Sequence, residues 1–426
     1  MNRYSYSNKI FWGLLILVCI CFPQILMAVE RSMPITPAEK KLMQGTQPPA
    51  ELPSNVPASG KLNRNTIGCV LPLSGPYADL GMKSRDAILL ATKKFDEQNK
   101  PLWKVVIKDS HGTAEGIKEA IENLADVENV MAIIAVTGTA EATNAASEAN
   151  MRKVPLILIS PKEGVTAAGE YVFQHFLTPS QQIKALVKYA FNDLNCAIFA
   201  VLYPDDDYGR EMLKFFSQEV KRTGGKVQKV IPFSKDQTDF KAEINKLANI
   251  SDETPEPGID RQPENKSAAS IDFEALLIPD SYSRVRIITS QLAYYNVRGF
   301  KLLGTSLWHS PGLLKNGGEN LEGAILVDSF FTESYYPETS DFMDVYYTAY
   351  SREPENIEAM AYDTAGFMID VLSNKEIKTR SQFAAALKKM ENYRGTTGNI
   401  SFDANRVAQK TPFILKVENG KLVQVK

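Results

Sequence analysis

Unbroken apolar runs of five to eight residues alternate along this chain with longer stretches in which apolar positions recur every three or four residues. A run without polar alternation predicts a strand buried on both faces, and the longer period predicts an amphipathic helix. Strands are expected over 67–71, 105–110, 132–136 and 155–160, and again over 198–203, 227–233, 273–279, 300–305 and 324–331. Helices are expected over 85–95, 114–125, 143–152, 183–192, 239–248, 285–295, 340–352, 357–372 and 381–389. A further helix opens at Gly209, with Met212, Phe215, Phe216 and Val220 on one face. Strands that alternate with helices specify a parallel sheet covered on both sides. Two such rounds predict an α/β protein of two doubly wound lobes. Near the end, 413–417 and 421–425 flank Asn419-Gly420, a tight hairpin signal.

The ends of this pattern change the picture. Arg3 and Lys9 precede an apolar run over 10–22, and the small residue Ala28 follows it: a charged region, a short apolar core and a cleavage point. The run is shorter than the ~20 residues of a membrane span, so residues 1–28 are expected to be a cleavable export signal that delivers the chain to the periplasm. Residues 29–63 are Pro-, Ser- and Gln-rich without a period and read as a disordered tether, and 251–270 as a polar surface insertion. With 426 residues, 44% of them hydrophobic, the chain can bury more than one core. A net charge of -2 with both signs interspersed gives no footprint for nucleic acid. Cys69 and Cys196 lie in separate apolar runs and are expected as buried free thiols, and His111, His175 and His309 lack the paired spacing of a metal site.

In open α/β sheets ligands are met at the carboxyl ends of strands. The candidate loops there are SGPYADLG, TGTAEA, SPKEG, PDDDYG, PDSYS and TSLWHS. Thr137, Gly138 and Thr139 precede a helix, where free N–H groups and hydroxyls suit a carboxylate, although a threonine there can equally cap the helix. Tyr208 offers a ring and a hydroxyl, or caps the packing of its helix. Asp280 can meet a ligand ammonium or cap the helix that follows. Tyr77 and Trp308 can stack on a ligand or pack in place. Ser160 and Ser306 end strands as hydrogen-bond donors without an assignable histidine. Asp205, Asp206 and Asp207 lack calcium-loop spacing and read as a solvated turn. Nucleophile-elbow, phosphate-loop and dinucleotide motifs are missing, so neither an enzyme nor a cofactor is expected.

In their order, LPLSGPYADLG, AIIAVTGTAEA, VPLILISP, VLYPDDDYGRE, AYDTAG and RGTTGNISFDANRV resemble the type I periplasmic solute-binding proteins of the leucine/isoleucine/valine-binding family. The stretch over 273–310 is similar to a subgroup of penicillin-binding-protein activators, the C-terminal domain of LpoA. The resemblance implies two lobes joined by three crossings, with 64–180 and 330–396 in the first and 181–329 and 397–426 in the second. It implies Leu80 at the family's cleft aromatic, Thr139 or Ala140 at its carboxylate-binding serine, and Tyr208 at its tyrosine. Lys162, Glu163 and Gly164 replace the family's small residues and threonine, and the position of its amine-binding glutamate falls near Ser306. The amino-acid clamp is thus incomplete unless Asp280 supplies the acid. The function implied is capture of a small polar solute, an amino acid or small carboxylate, for an ABC permease. The alternative is a regulator that binds and activates a penicillin-binding protein.

Overall fold

A computed structural model describes residues 61–93, 102–250, 270–315 and 318–426. The expected signal (1–28), nearly all of the tether, and the insertion at 251–270 except Ser270 lie outside the described residues. Five parallel strands form the first sheet: β1 (Asn63–Leu71), β2 (Lys104–Asp109), β3 (Val130–Val136), β4 (Leu156–Ile159) and β5 (Val172–Gln174), in the order β2-β1-β3-β4-β5. The fully apolar β3 is buried along its whole length between β1 and β4, which is why it carries no polar alternation.

Helices α1 (Ala78–Thr92), α2 (Ala114–Glu122) and α3 (Ala142–Met151) connect these strands. One face of the sheet packs under α2 and α3. The other is covered by α1 together with α8 (Pro337–Tyr350), α9 (Asn356–Ser373) and α10 (Arg380–Lys388).

The second sheet has seven strands, in the order β15-β14-β10-β9-β8-β6-β7. Parallel strands β6 (Ile198–Pro204), β7 (Lys226–Phe233), β8 (Ala275–Leu277), β9 (Lys301–Gly304) and β10 (Ile325–Asp328) are extended by the antiparallel hairpin of β14 (Phe413–Glu418) and β15 (Lys421–Gln424). Helices α4 (Pro179–Asn192) and α5 (Asp207–Thr223) cover one face, and α6 (Lys241–Leu247) and α7 (Tyr282–Tyr294) the other.

Helix α5 shows how the sequence sets its own limits. Asp206 accepts the Gly209 N–H at 2.8 Å as N-cap, Lys221 and Arg222 sit at the negative end, and Gly224 stops the helix at φ 86°. Met212, Phe216 and Val220, spaced by four, are its buried face. Of the three aspartates at its start, Asp205 and Asp207 pair with Arg210 in solvent.

The chain crosses between the sheets three times: after β5, after β10, and between β13 (Ala408–Lys410) and β14. The third crossing falls later than expected. Strands β11 (Tyr393–Gly395), β12 (Gly398–Phe402) and β13 form a small sheet of their own, and Ile400, Phe402 and Ala408 join the core of the first lobe. Residues 397–410 therefore pack with the first lobe, because their apolar side chains face it.

Cys69 and Cys196 are buried and unpaired, in strand β1 and ahead of strand β6. Burial pushes the Cys69 thiol up to about 12, and burial with the Glu274 charge raises Cys196. In protein beginning at Val29, both thiols are expected to resist an aromatic disulfide reagent until denaturant is added; prompt release of one equivalent in native buffer would contradict this burial.

Candidate functional site

The loops after β1, β2 and β3, adjacent strands of the first sheet, converge on a small pocket open to solvent. This is where the strand order reverses, the position at which open α/β sheets meet ligands. Tyr77 and Leu80 come from the start of α1, Ser110 and Gly112 from the loop after β2, and Thr137, Gly138 and Glu141 from the turn into α3.

Asp109 ties the first two loops together, accepting the N–H of Leu73 at 2.9 Å and of His111 at 2.8 Å. Burial pulls this carboxyl upward, but the hydrogen bonds from His111, Ser74 and Leu73 outweigh it and hold it below the usual carboxylate range. Gly112, at φ 64°, lies against the Tyr77 ring, where a Cβ would stand 3.1 Å from the ring edge. The third loop is fixed from β4: Ser160 Oγ donates to the Gly138 carbonyl at 3.1 Å, and Gln174 Nε2 donates to the Ser160 and Lys162 carbonyls. Ser160 therefore holds the loop rather than facing a ligand.

Thr137 is 7% exposed, and its hydroxyl has no hydrogen-bond partner among the described residues. A buried hydroxyl left in this state forfeits a bond that folding normally keeps. Thr139 and Ala140 are exposed in the turn outside the pocket. Neither threonine caps α3: Glu141 occupies the N-cap position and makes no capping bond.

On the second sheet, half-buried Tyr208 donates from its hydroxyl to Thr305 Oγ1 at 3.4 Å. Burial, together with the charges of Asp280, Asp206 and Glu211, pushes its pKa far above the ordinary phenol value, so it stays a donor. Thr305, fully buried at the end of β9, was not among the expected residues; its place directly after an apolar strand was the available signal. Asp280 is buried, accepts the Ser281 N–H at 2.6 Å, and pairs with Arg284 at 2.9 Å. Its charge is met within the protein, so it does not complete an amino-acid clamp. Ser306 donates its N–H to Gln182 Oε1 at 3.0 Å.

Trp308 is not a stacking aromatic. It is fully buried, its Nε1 donates to the Ile278 carbonyl at 2.9 Å, and its ring lies where a Cβ on Gly304 would come within 2.1 Å. The indole is part of the apolar core of the second lobe. Among the described residues, no group of His, Cys, Asp or Glu is arranged to hold a metal ion.

The family model described as periplasmic binding protein matches residues 65–251 and 288–421. The chain belongs to the periplasmic binding protein family. Solved structures place this periplasmic binding protein in the same fold. A protein from Rhodospirillum rubrum described as a branched-chain amino acid ABC transporter superposes with a TM-score of 0.73 at 20% identity, over 86% of this chain and 100% of that one. The leucine binding protein of Thermotoga maritima gives 0.63 at 22% identity, over 85% and 97%. A solute binding protein from R. palustris in complex with benzoate gives 0.58 at 19% identity, over 86% and 96%. No curated protein matches the sequence.

Proposed function

We propose that this periplasmic binding protein works outside the cytoplasm, holds a small polar molecule between its two lobes, and presents it to an ABC permease. The observation that carries this reading is the pocket at the strand-order reversal of the first sheet, lined by Tyr77, Leu80 and Thr137, whose hydroxyl is buried and unpartnered. Tyr208, whose hydroxyl is anchored on the buried Thr305, is the corresponding polar group at the strand ends of the second lobe. A ligand that touches both sets favours the closed arrangement of the lobes, and a permease that distinguishes closed from open reads the difference. The relatives named for branched-chain amino acids, leucine and benzoate support a small organic ligand.

The test is a thermal-shift screen of protein beginning at Val29 against amino acids, amines, small carboxylates and peptidoglycan fragments, since a ligand that binds only the folded state raises Tm. At least one small solute is expected to raise it, by several degrees at 100 times its Kd, and Tyr77→Ala is expected to reduce that shift. A flat response to the whole panel from folded, ligand-free protein would overturn solute capture and favour the regulator of a penicillin-binding protein.

A further inference from the structure

The charges around the pocket narrow the ligand further. Glu141 is half-buried in the pocket wall and makes neither an ion pair nor a side-chain hydrogen bond among the described residues. Its carboxylate folds back over the turn into α3, with Oε2 3.1 Å from where a Cβ on Gly138 would stand. This is the stretch at which the sequence led us to expect a ligand carboxylate. An anion bound at this turn would face that negative charge.

Thr137 lines the same pocket as Glu141; it is more than nine-tenths buried, and its unpartnered hydroxyl can accept an N–H.

We infer that the ligand carries a cationic group, an ammonium or guanidinium, which seats between Thr137 and Glu141. This rests on the solute-capture reading above and specifies its ligand class. A cation at this point supplies the donors that the Thr137 hydroxyl and the Glu141 carboxylate lack. A carboxylate-only ligand of the same size supplies none.

The experiment uses calorimetric titration with 1,4-diaminobutane, agmatine, lysine and arginine against succinate, benzoate and butane-1,4-diol, in wild type, Glu141→Gln and Thr137→Val proteins. At least one cationic probe is expected to bind, with a loss of at least tenfold in Glu141→Gln, a smaller loss in Thr137→Val, and weakening as salt is raised. Circular dichroism and Tm of the two near-isosteric variants separate lost binding from lost fold. Binding of succinate or benzoate with affinity unchanged or improved in Glu141→Gln would overturn the cationic class while leaving solute capture standing. Silence from every probe would overturn the cationic class, and silence across the wider thermal-shift panel as well would overturn solute capture itself.

Discussion

Replacing Asp363 by alanine is expected to destabilise the protein by about 3–5 kcal/mol, because it strips the acceptor from two buried backbone N–H groups and a hydroxyl at once. Asp363 lies on α9 and is 1% exposed. One carboxylate oxygen accepts the Thr396 N–H at 2.7 Å, and the other accepts the Thr397 N–H at 2.8 Å and the Thr397 hydroxyl at 2.7 Å. These bonds pin the turn between β11 and β12 to the helix, and Gly395 admits the carboxylate so closely that a Cβ would come within 2.7 Å of it. Asn is expected to fall between Asp and Ala, since its amide can accept on one side only. The check is the midpoint and slope of urea unfolding; a loss under about 1 kcal/mol would mean that water reaches the turn and replaces the carboxylate.

That contact also shows which parts of the molecule the sequence could disclose. AYDTAG and RGTTGN stand out as motifs over thirty residues apart, yet nothing local to either says that the aspartate of one serves the threonines of the other. The parallel strands were legible because β1, β3 and β6 are buried on both faces, and an unbroken apolar run has no other common cause. Strands β5, β11 and β13 were not, since each is three residues long and paired through its backbone.

At the site, Tyr77, Leu80 and Thr137 share a pocket, while Trp308 turns into the core because Gly304 leaves room for the indole. The direction of a single helical turn after a strand is decided by that packing and not by its own residues. The fate of Asp280 was readable: Arg284 stands four positions later on the same helical face, the spacing of an ion pair. Glu141 was in view inside TGTAEA, but its lack of a partner is a fact of three dimensions.

Acid is expected to weaken the fold through His175, by about 2 kcal/mol between pH 7 and pH 5, and His175→Gln is expected to remove that part of the loss. His175 is fully buried at the first crossing, just after β5, and Lys410 ends β13 at the third. The Thr364 hydroxyl donates to the Met360 carbonyl at 2.7 Å, so its oxygen takes the proton on His175 Nδ1 at 2.8 Å. That leaves the Nε2 lone pair facing Lys410 Nζ at 3.3 Å, while Nζ also donates to Thr397 Oγ1 at 3.2 Å.

A proton on Nε2 would set cation against cation. Burial first, and the Lys410 charge second, hold His175 well below its ordinary pKa. The unfolded chain binds this proton below about pH 6.5 and the folded chain refuses it, so stability falls by about 1.4 kcal/mol for each further unit of acid. Lys410 is itself lowered to about 8 by burial, against the pull of Asp363 and Asp328. The unfolded lysine keeps its proton up to about pH 10.4, so this group makes stability rise with pH above 8. The decisive comparison is urea unfolding of wild type and His175→Gln at pH 7 and pH 5, where the titration of carboxylates shared by both proteins cancels. Equal acid losses in the two would show that His175 takes up its proton in the folded state, and that the crossings tolerate the paired charge.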